Sequence, residues 1–263
     1  MIIYKSEEEI RAMKAANQIV AEVLAELKAL VKPGVTTNKL DSFAERRARE
    51  KGAKPAFKGY IGYPASLCTS INEEIVHGIP SDRNLQDGDI ISLDFGVILD
   101  GYYGDAAVTY PVGNIKPQAE KIIKVVEESL YKGLEQVKEG NRISDISAAV
   151  QEYVEANGFS VIRNFVGHGI GFSLHEEPQI PNFGTPGHGP KIKPGMALAI
   201  EPMIAAGDWD VDILDDDWTA VTRDRSLSAH YEHTVAVTKR GMEILSLSKE
   251  KSKLAQIEEK KHA

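Results

Sequence analysis

Residues 34–52, GVTTNKLDSFAERRAREKG, return in altered form as residues 140–158, GNRISDISAAVQEYVEANG. At a constant offset of 106, Gly34 falls on Gly140, Leu40 on Ile146, Ala44 on Val150 and Gly52 on Gly158. Each copy reads as a short helix fenced by glycines, with apolar residues at helical spacing. A longer amphipathic helix precedes each. Ahead of the first copy, Ser6 and Glu9 spell a capping box. Ile10, Met13, Ala16, Val20, Leu24, Leu27 and Val31 then recur at helical spacing until Pro33-Gly34. Ahead of the second, residues 117–137 carry a similar pattern and stop before Gly140. Long helix, glycine turn, short helix, then strands: the chain spells this twice. The repeat predicts an α/β (α+β) fold built from a duplicated unit with pseudo-twofold symmetry.

The strands that follow each helix pair carry unusual residues. Asp94, Asp105, His168, Glu201 and Glu232 sit in ISLDFGV, YYGDAAVTY, NFVGHGIG, ALAIEPMI and SAHYEHTVAV, stretches otherwise apolar or glycine-rich. Carboxylates are rarely placed on buried strands unless something compensates their charge. Asp100-Gly101 is a hairpin signal between two strand-like runs. With those two residues as the turn, Asp94 opposes Ala107, and Asp105 is its diagonal neighbour on the same face. Such neighbours lie about 7–8 Å apart. The offset of 106 carries Asp94 to position 200, beside Glu201, so each half contributes acids to a shared cleft. Four carboxylates and an imidazole converging there would repel one another, and divalent cations relieve that repulsion. The expectation is a dinuclear metal site. The competing reading for any one acid is an ordinary salt bridge or a solvent-facing position; for all five together it is much weaker.

Composition narrows the class. The chain has 263 residues and a net charge of −8, with no evident basic stripe, which argues against a nucleic-acid footprint. No run approaches the roughly 18 apolar residues of a membrane span, and the N-terminus MIIYKSEEEI has no signal-peptide pattern. Cys68 is the only cysteine, which excludes an internal disulfide framework and suits a reducing compartment, with cytoplasm the default. No Pro- or Ser-rich linker separates the halves, so residues 1–263 read as one catalytic domain. The charged segment from about Lys249 reads as a solvated tail.

An oxygen-rich donor set with one imidazole suits manganese, iron(II), cobalt or zinc. Shared carboxylates let five residues hold two ions about 3.5–4 Å apart with an acidified water between them. Metal-assisted hydrolysis is the chemistry that follows. His77 in VHGIP and His175 in LHEEP have no evident packing role, although a lone histidine is more often a hydrogen-bonded or surface residue. His188, His230 and His233 are expected to be of that ordinary kind. The sequence contains no phosphate-binding loop, no H-E-x-x-H zinc helix and no G-x-S-x-G elbow. Cys68 in SLCTS has no electropositive neighbour in sequence that would make it a nucleophile.

NEEIVHGIP, SLDFGVILDGYYGDAAVTY, GHGIGFSLHEEPQIPNFG, MALAIEPMI and DDDWTAVTRDRSLSAHYEHTVAVT together resemble the signature segments of the type I methionine aminopeptidases. The resemblance runs from about Ile3 to Leu247. It implies the pita-bread fold, a duplicated helix-helix-strand unit with a curved antiparallel sheet covered by helices. It implies two divalent metal ions held by Asp94, Asp105, His168, Glu201 and Glu232, with Asp105 and Glu232 bridging. It matches His77 to a contact with the substrate amide nitrogen, His175 to polarisation of the scissile carbonyl, and Glu201 to the proton of the attacking water. Phe57, Tyr60, Tyr63, Cys68 and Trp218 match the methionine pocket. Leu174 also falls there, at a position where relatives carry an aromatic residue, and Phe57 falls where some carry cysteine. Asn72 and Ser228 match positions near a monovalent cation in some relatives.

The implied activity is removal of the initiator methionine from nascent chains whose second residue is small, at or near the ribosome, by a monomer. Glu201 and Glu232 are about thirty residues apart, which leaves no room for the type II helical insertion, so a short bacterial-type form is the closest match. A prolidase or aminopeptidase P relative shares these ligands but usually carries a large N-terminal domain. A non-catalytic binding module on the same fold is the rival from another class, and the full set of ligand residues argues against it.

Overall fold

The computed structural model describes residues 1–247; the charged tail read from the sequence lies outside the described residues. Among the described residues four α-helices set the frame: α1 spans Glu7–Lys28, α2 Thr37–Glu50, α3 Pro117–Leu134 and α4 Ile143–Ala156. Both ends of α4 lie 106 residues beyond those of α2, so the repeat holds residue for residue. Gly34 and Gly140 (φ 84° and 95°) and Gly52 and Gly158 (79° and 82°) are all left-handed, a conformation that costs glycine little. The two-residue strands that follow, Lys54–Pro55 and Ser160–Val161, keep the same offset.

The capping box forms as read: the Glu9 amide donates to Ser6 Oγ at 3.2 Å, and the Ser6 amide donates to Glu9 Oε2 at 2.6 Å. α1 stops at Lys28, short of Val31. The Leu30 amide tightens back onto the Leu27 carbonyl at 2.8 Å before Pro33 redirects the chain. α3 likewise stops at Leu134 rather than Val137, where the Gln136 and Val137 amides bond three residues back.

In the first half, strands Ile90–Leu99 and Tyr102–Pro111 form the expected hairpin around Asp100 and Gly101, both at positive φ. The register is the one read from the turn: Asp94 opposes Ala107, and Asp105 opposes Gly96. Strand Leu67–Ile71 pairs with the other edge of Ile90–Leu99, setting Cys68 opposite Asp94. In the second half a five-stranded antiparallel sheet runs Gly241–Ile244, His233–Thr238, Ala197–Ile200, Val166–Gly169, Glu176–Pro181. The counterpart of strand Ile90–Leu99 is broken here by Glu201-Pro202 into Ala197–Ile200 and Met203–Ala205. Proline cannot donate to a ladder, so the break falls where Glu201 turns toward the cleft.

Each half has its own core. α1 and α2 cover the first sheet with Val20, Leu24, Leu27 and Leu40 against Leu93 and Phe95. α3 and α4 cover the second with Ile122, Val126, Leu130 and Val150 against Leu198 and Val235. The halves are stitched where strand Tyr102–Pro111 meets residues 230–234. The Glu232 amide donates to the Ala107 carbonyl at 2.9 Å, and Thr234 Oγ1 donates to the Asp105 carbonyl at 2.8 Å. The His230 amide donates to Thr109 Oγ1 at 3.0 Å. This seam carries Asp105 and Glu232 and fixes their main chains against each other. Among the described residues no helix is long and apolar enough to cross a membrane.

Candidate metal centre

A cavity of about 200 Å³ opens over the seam, and all five metal-ligand candidates line it, together with His77 and His175. Asp94 and Asp105 come from the two strands of the first-half hairpin, and His168 from strand Val166–Gly169. Glu201 sits at the broken strand, and Glu232 lies between strands Ser228–His230 and His233–Thr238. Asp105, His168 and Glu232 each offer a donor atom within 4.8 Å of the other two. Asp94 and Glu201 share the cavity without joining that tightest trio. Oxygens Asp94 Oδ1, Asp105 Oδ1 and Glu232 Oε1 are buried without a hydrogen-bond partner among the described residues. Buried carboxylate oxygens left this way are costly, and a cation supplies what the protein does not. The donor set of carboxylates and one imidazole fits a divalent first-row metal.

Charge and burial agree with that fit. Burial pushes the Asp94 carboxyl up to about 7. It also pushes Asp105, Glu201 and Glu232 well above the usual carboxylate range, with neighbouring acids adding to each. Without a cation, these groups hold protons to relieve one another.

Burial favours the neutral form of the histidines, and a carbonyl contact fixes the tautomer of His168. Burial depresses His168 to about 3. Its Nδ1 lies 2.8 Å from the Gly169 carbonyl, an atom that only accepts, so Nδ1 carries the proton. His168 Nε2 therefore offers its lone pair, 3.4 Å from Glu201 Oε1. At His175 the partner is a group able to donate: Tyr60 Oη lies 2.7 Å from Nδ1, and burial raises the phenol so that it keeps its proton. With Tyr60 donating, His175 Nε2 is the N–H end. His77 is depressed to about 4, first by burial. It sits in the left-handed region at φ 61° and is followed by Gly78, where a Cβ would come 2.3 Å from the Thr69 carbonyl oxygen. Such a close turn admits only glycine, and strain of this kind collects at working sites.

The remaining wall is apolar. Phe57, Tyr63, Cys68, Leu174 and Trp218 line the cavity with Tyr60, which stands beside His175. Tyr63 is pinned by donating to the Gly78 carbonyl at 2.9 Å and packs edge-on to Trp218 at 5.1 Å. Trp218 and Phe165 flank the His77 ring at 6.2 and 5.3 Å. Ile61, which sequence reasoning missed, also lines the mouth and is 78% exposed at φ 50°. Asn72 and Ser228 are adjacent through a 2.7 Å main-chain hydrogen bond but do not line the cavity. Their side chains bond to Asp89, the Ile90 amide and the Ile204 carbonyl.

One expectation needs correction. His230, read as an ordinary hydrogen-bonded or surface residue, is 1% exposed, with Nε2 3.7 Å from Glu201 Oε2 and neither ring nitrogen hydrogen-bonded among the described residues. Its strand position opposite Met203 turns it inward. His233 and His188 behave as read: His233 Nδ1 lies 2.8 Å from Ser246 Oγ, and His188 is exposed.

Comparison with known proteins agrees with this geometry. The model of metallopeptidase family M24 matches residues 11–239. A methionine aminopeptidase of Clostridium perfringens is 55% identical over 95% of this chain and all of its own length. Methionine aminopeptidase 1 of Bacillus subtilis is 55% identical over 94% and 99%. The chain belongs to metallopeptidase family M24, among the methionine aminopeptidases. The crystal structure of methionine aminopeptidase from Thermotoga maritima superposes with a TM-score of 0.93 at 46% identity, covering 94% of this chain and all of that one. The architecture is therefore the α/β pita-bread fold of that family. The prolidase of Pyrococcus furiosus has a TM-score of 0.76 at 23% identity, and this chain covers 66% of it. That likeness is one of fold alone.

Proposed function

We propose that this M24 chain removes the N-terminal methionine from peptides and nascent proteins whose second residue is small. The observation that carries the reading is the juxtaposition, in one cavity, of orphaned buried carboxylate oxygens and an apolar wall. The 55% identity to methionine aminopeptidases supports it. Two divalent ions held by Asp94, Asp105, His168, Glu201 and Glu232 would acidify water and polarise the scissile carbonyl.

The chain's own groups take the other roles. His168, neutral with Nδ1–H directed at the Gly169 carbonyl, presents a lone pair from Nε2 without first losing a proton. Glu201, in its carboxylate form, accepts the proton of the attacking water and passes it to the leaving amine; burial raises its proton affinity for that task. His175, its Nδ1 occupied by Tyr60, donates from Nε2–H to the carbonyl oxygen as charge builds there. His77, wedged between Phe165 and Trp218, contacts the substrate amide nitrogen. Tyr60, Tyr63, Cys68, Phe57, Leu174 and Trp218 receive the methionine side chain, a flexible thioether suited to aromatic and thiol walls. We place the substrates among nascent chains at the ribosome and treat the enzyme as a cytoplasmic monomer; a sequence with one cysteine fits a reducing compartment.

The test is release of methionine from Met-Ala-Ser by chelator-stripped protein with manganese or cobalt restored. Metal-restored release that is lost in His77→Ala and Glu201→Gln is the expected result. A fully metallated protein that spares this peptide and cleaves a Xaa-Pro substrate would be a prolidase instead.

A further inference from the structure

The histidine assigned to the carbonyl oxygen sits on a turn whose anchor comes from the other end of the chain. Residues 170–176 leave strand Val166–Gly169, carry Leu174 and His175 to the cavity, and re-enter the sheet at strand Glu176–Pro181. Glu176 ties both ends of this turn. Its Oε1 accepts from the Phe172 amide at 2.7 Å and the Ser173 amide at 3.2 Å, while its Oε2 pairs with Lys5 Nζ. Both side chains of the pair are almost wholly buried, at 1% and 4% exposure.

Lys5 is itself fixed. Its amide donates to the Gly195 carbonyl at 2.7 Å, and its Nζ also donates to the Ile3 carbonyl at 3.1 Å. The fit around it is close: a Cβ on Gly171 would come 2.3 Å from Lys5 Cε and 2.8 Å from Nζ. A buried ammonium here contributes little stability on balance, because desolvation offsets the attraction. Its value lies in geometry, because an unpaired buried Glu176 would leave the turn for water and take its neighbour with it.

We propose that Lys5 is a positioning residue of the peptidase, acting through Glu176 to hold His175 in its working orientation. The proposal rests on the role given to His175 above. Lys5 touches neither substrate nor metal ligand; its effect is carried by the turn. Lys14, on α1, pairs instead with Glu243 while about half exposed.

The experiment compares Lys5→Met, the charge-free pair Lys5→Met/Glu176→Met, which also removes the acceptor for the Phe172 and Ser173 amides, and each of these combined with His175→Ala. The charge-free pair buries no lone ion, so it remains a folded control if Lys5→Met alone does not fold. Expected in both Lys5 variants is a fall in kcat on the order of 10²-fold on Met-Ala-Ser, with KM little changed. In the His175→Ala background the same substitutions cause no further fall, because the route through His175 is already gone. A merely structural role would lower kcat equally in both backgrounds, and that additivity would overturn the proposal. The His175 ring nitrogens, followed by NMR at one fixed pH, give a reading independent of activity. Loss of the Tyr60-bonded Nδ1 signature in the charge-free pair supports the proposal. Unchanged resonances overturn it, even if wild-type protein proves to release no methionine and the proposed function itself fails.

Discussion

Metal binding should expel protons from the carboxyl cluster, in a number that depends on pH. In the metal-free protein burial holds Asp94 at about 7. At pH 6 roughly 0.9 proton therefore resides on that group, from a simple one-site titration. Asp105, Glu201 and Glu232 are shifted in the same direction and add to the count. His168 adds none, because burial keeps it neutral at that pH. The assay is calorimetric titration of chelator-stripped protein with manganese in two buffers of different ionisation enthalpy. At least about one proton should leave per protein at pH 6, and apparent affinity should rise about tenfold per pH unit for each proton displaced.

The stability signs follow. Carboxyls whose folded pKa is raised stabilise the metal-free fold below the usual carboxylate range, and that contribution is lost as pH climbs, through about 7 for Asp94. The depressed histidines act oppositely: their contribution is present above the usual histidine value and lost as pH falls toward about 4 for His77 and about 3 for His168. Metal restores what the carboxyls lose. The metal-induced rise in Tm should therefore grow with pH, by about 3–5 °C for each tenfold gain in affinity. Titration at pH 6 with no proton released would show the acids already ionised, and the electrostatic reasoning would be wrong.

Other substitutions test single contacts. Tyr60→Phe removes the donor to His175 Nδ1 and frees the imidazole tautomer, so kcat should fall by about three- to tenfold, as steady-state kinetics would show. Gly78→Ala forces a Cβ into the Thr69 carbonyl; denaturant unfolding should show a loss of about 1–3 kcal/mol, and turnover should drop with it because His77 shares the turn. Gly104→Ala meets α1 instead, with Cβ 2.7 Å from the Asn17 amide nitrogen, and should destabilise by a similar amount. Met-Ala-Ser should outpace Met-Leu-Ser by about tenfold to a hundredfold in kcat/KM, because the ring of His77 is locked between Phe165 and Trp218. Equal rates would remove His77 as the limit on the second residue.

Much of this architecture is legible in the sequence itself. Local rules sufficed where the signal was local: glycines at a fixed offset marked the helix pair, and the Asp100-Gly101 turn set the register that brings Asp94 and Asp105 to one face. The acids stood out because apolar strands rarely carry them. Long-range placement was harder to read. His230 looks like any histidine in SAHYEH until strand Ser228–His230 pairs with Met203–Ala205 and turns it toward Glu201. Lys5 belongs to a charged N-terminal stretch in the sequence, and its partner Glu176 is 171 residues away. Trp218 and His77 meet because strand Glu74–Val76 pairs with Ala220–Thr222, a contact no periodicity announces. The helix ends drifted for a physical reason too: the apolar pattern continues through Val31 and Val137, but the last amides tighten into three-residue turns.

The most direct test of the metal centre is anomalous diffraction from crystals of the cobalt-loaded protein. Two peaks inside the cavity, ringed by Asp94, Asp105, His168, Glu201 and Glu232, are the predicted result, with both weakened in Asp105→Asn. A cavity without ordered cobalt, or cobalt bound only to residues outside these five, would contradict the account.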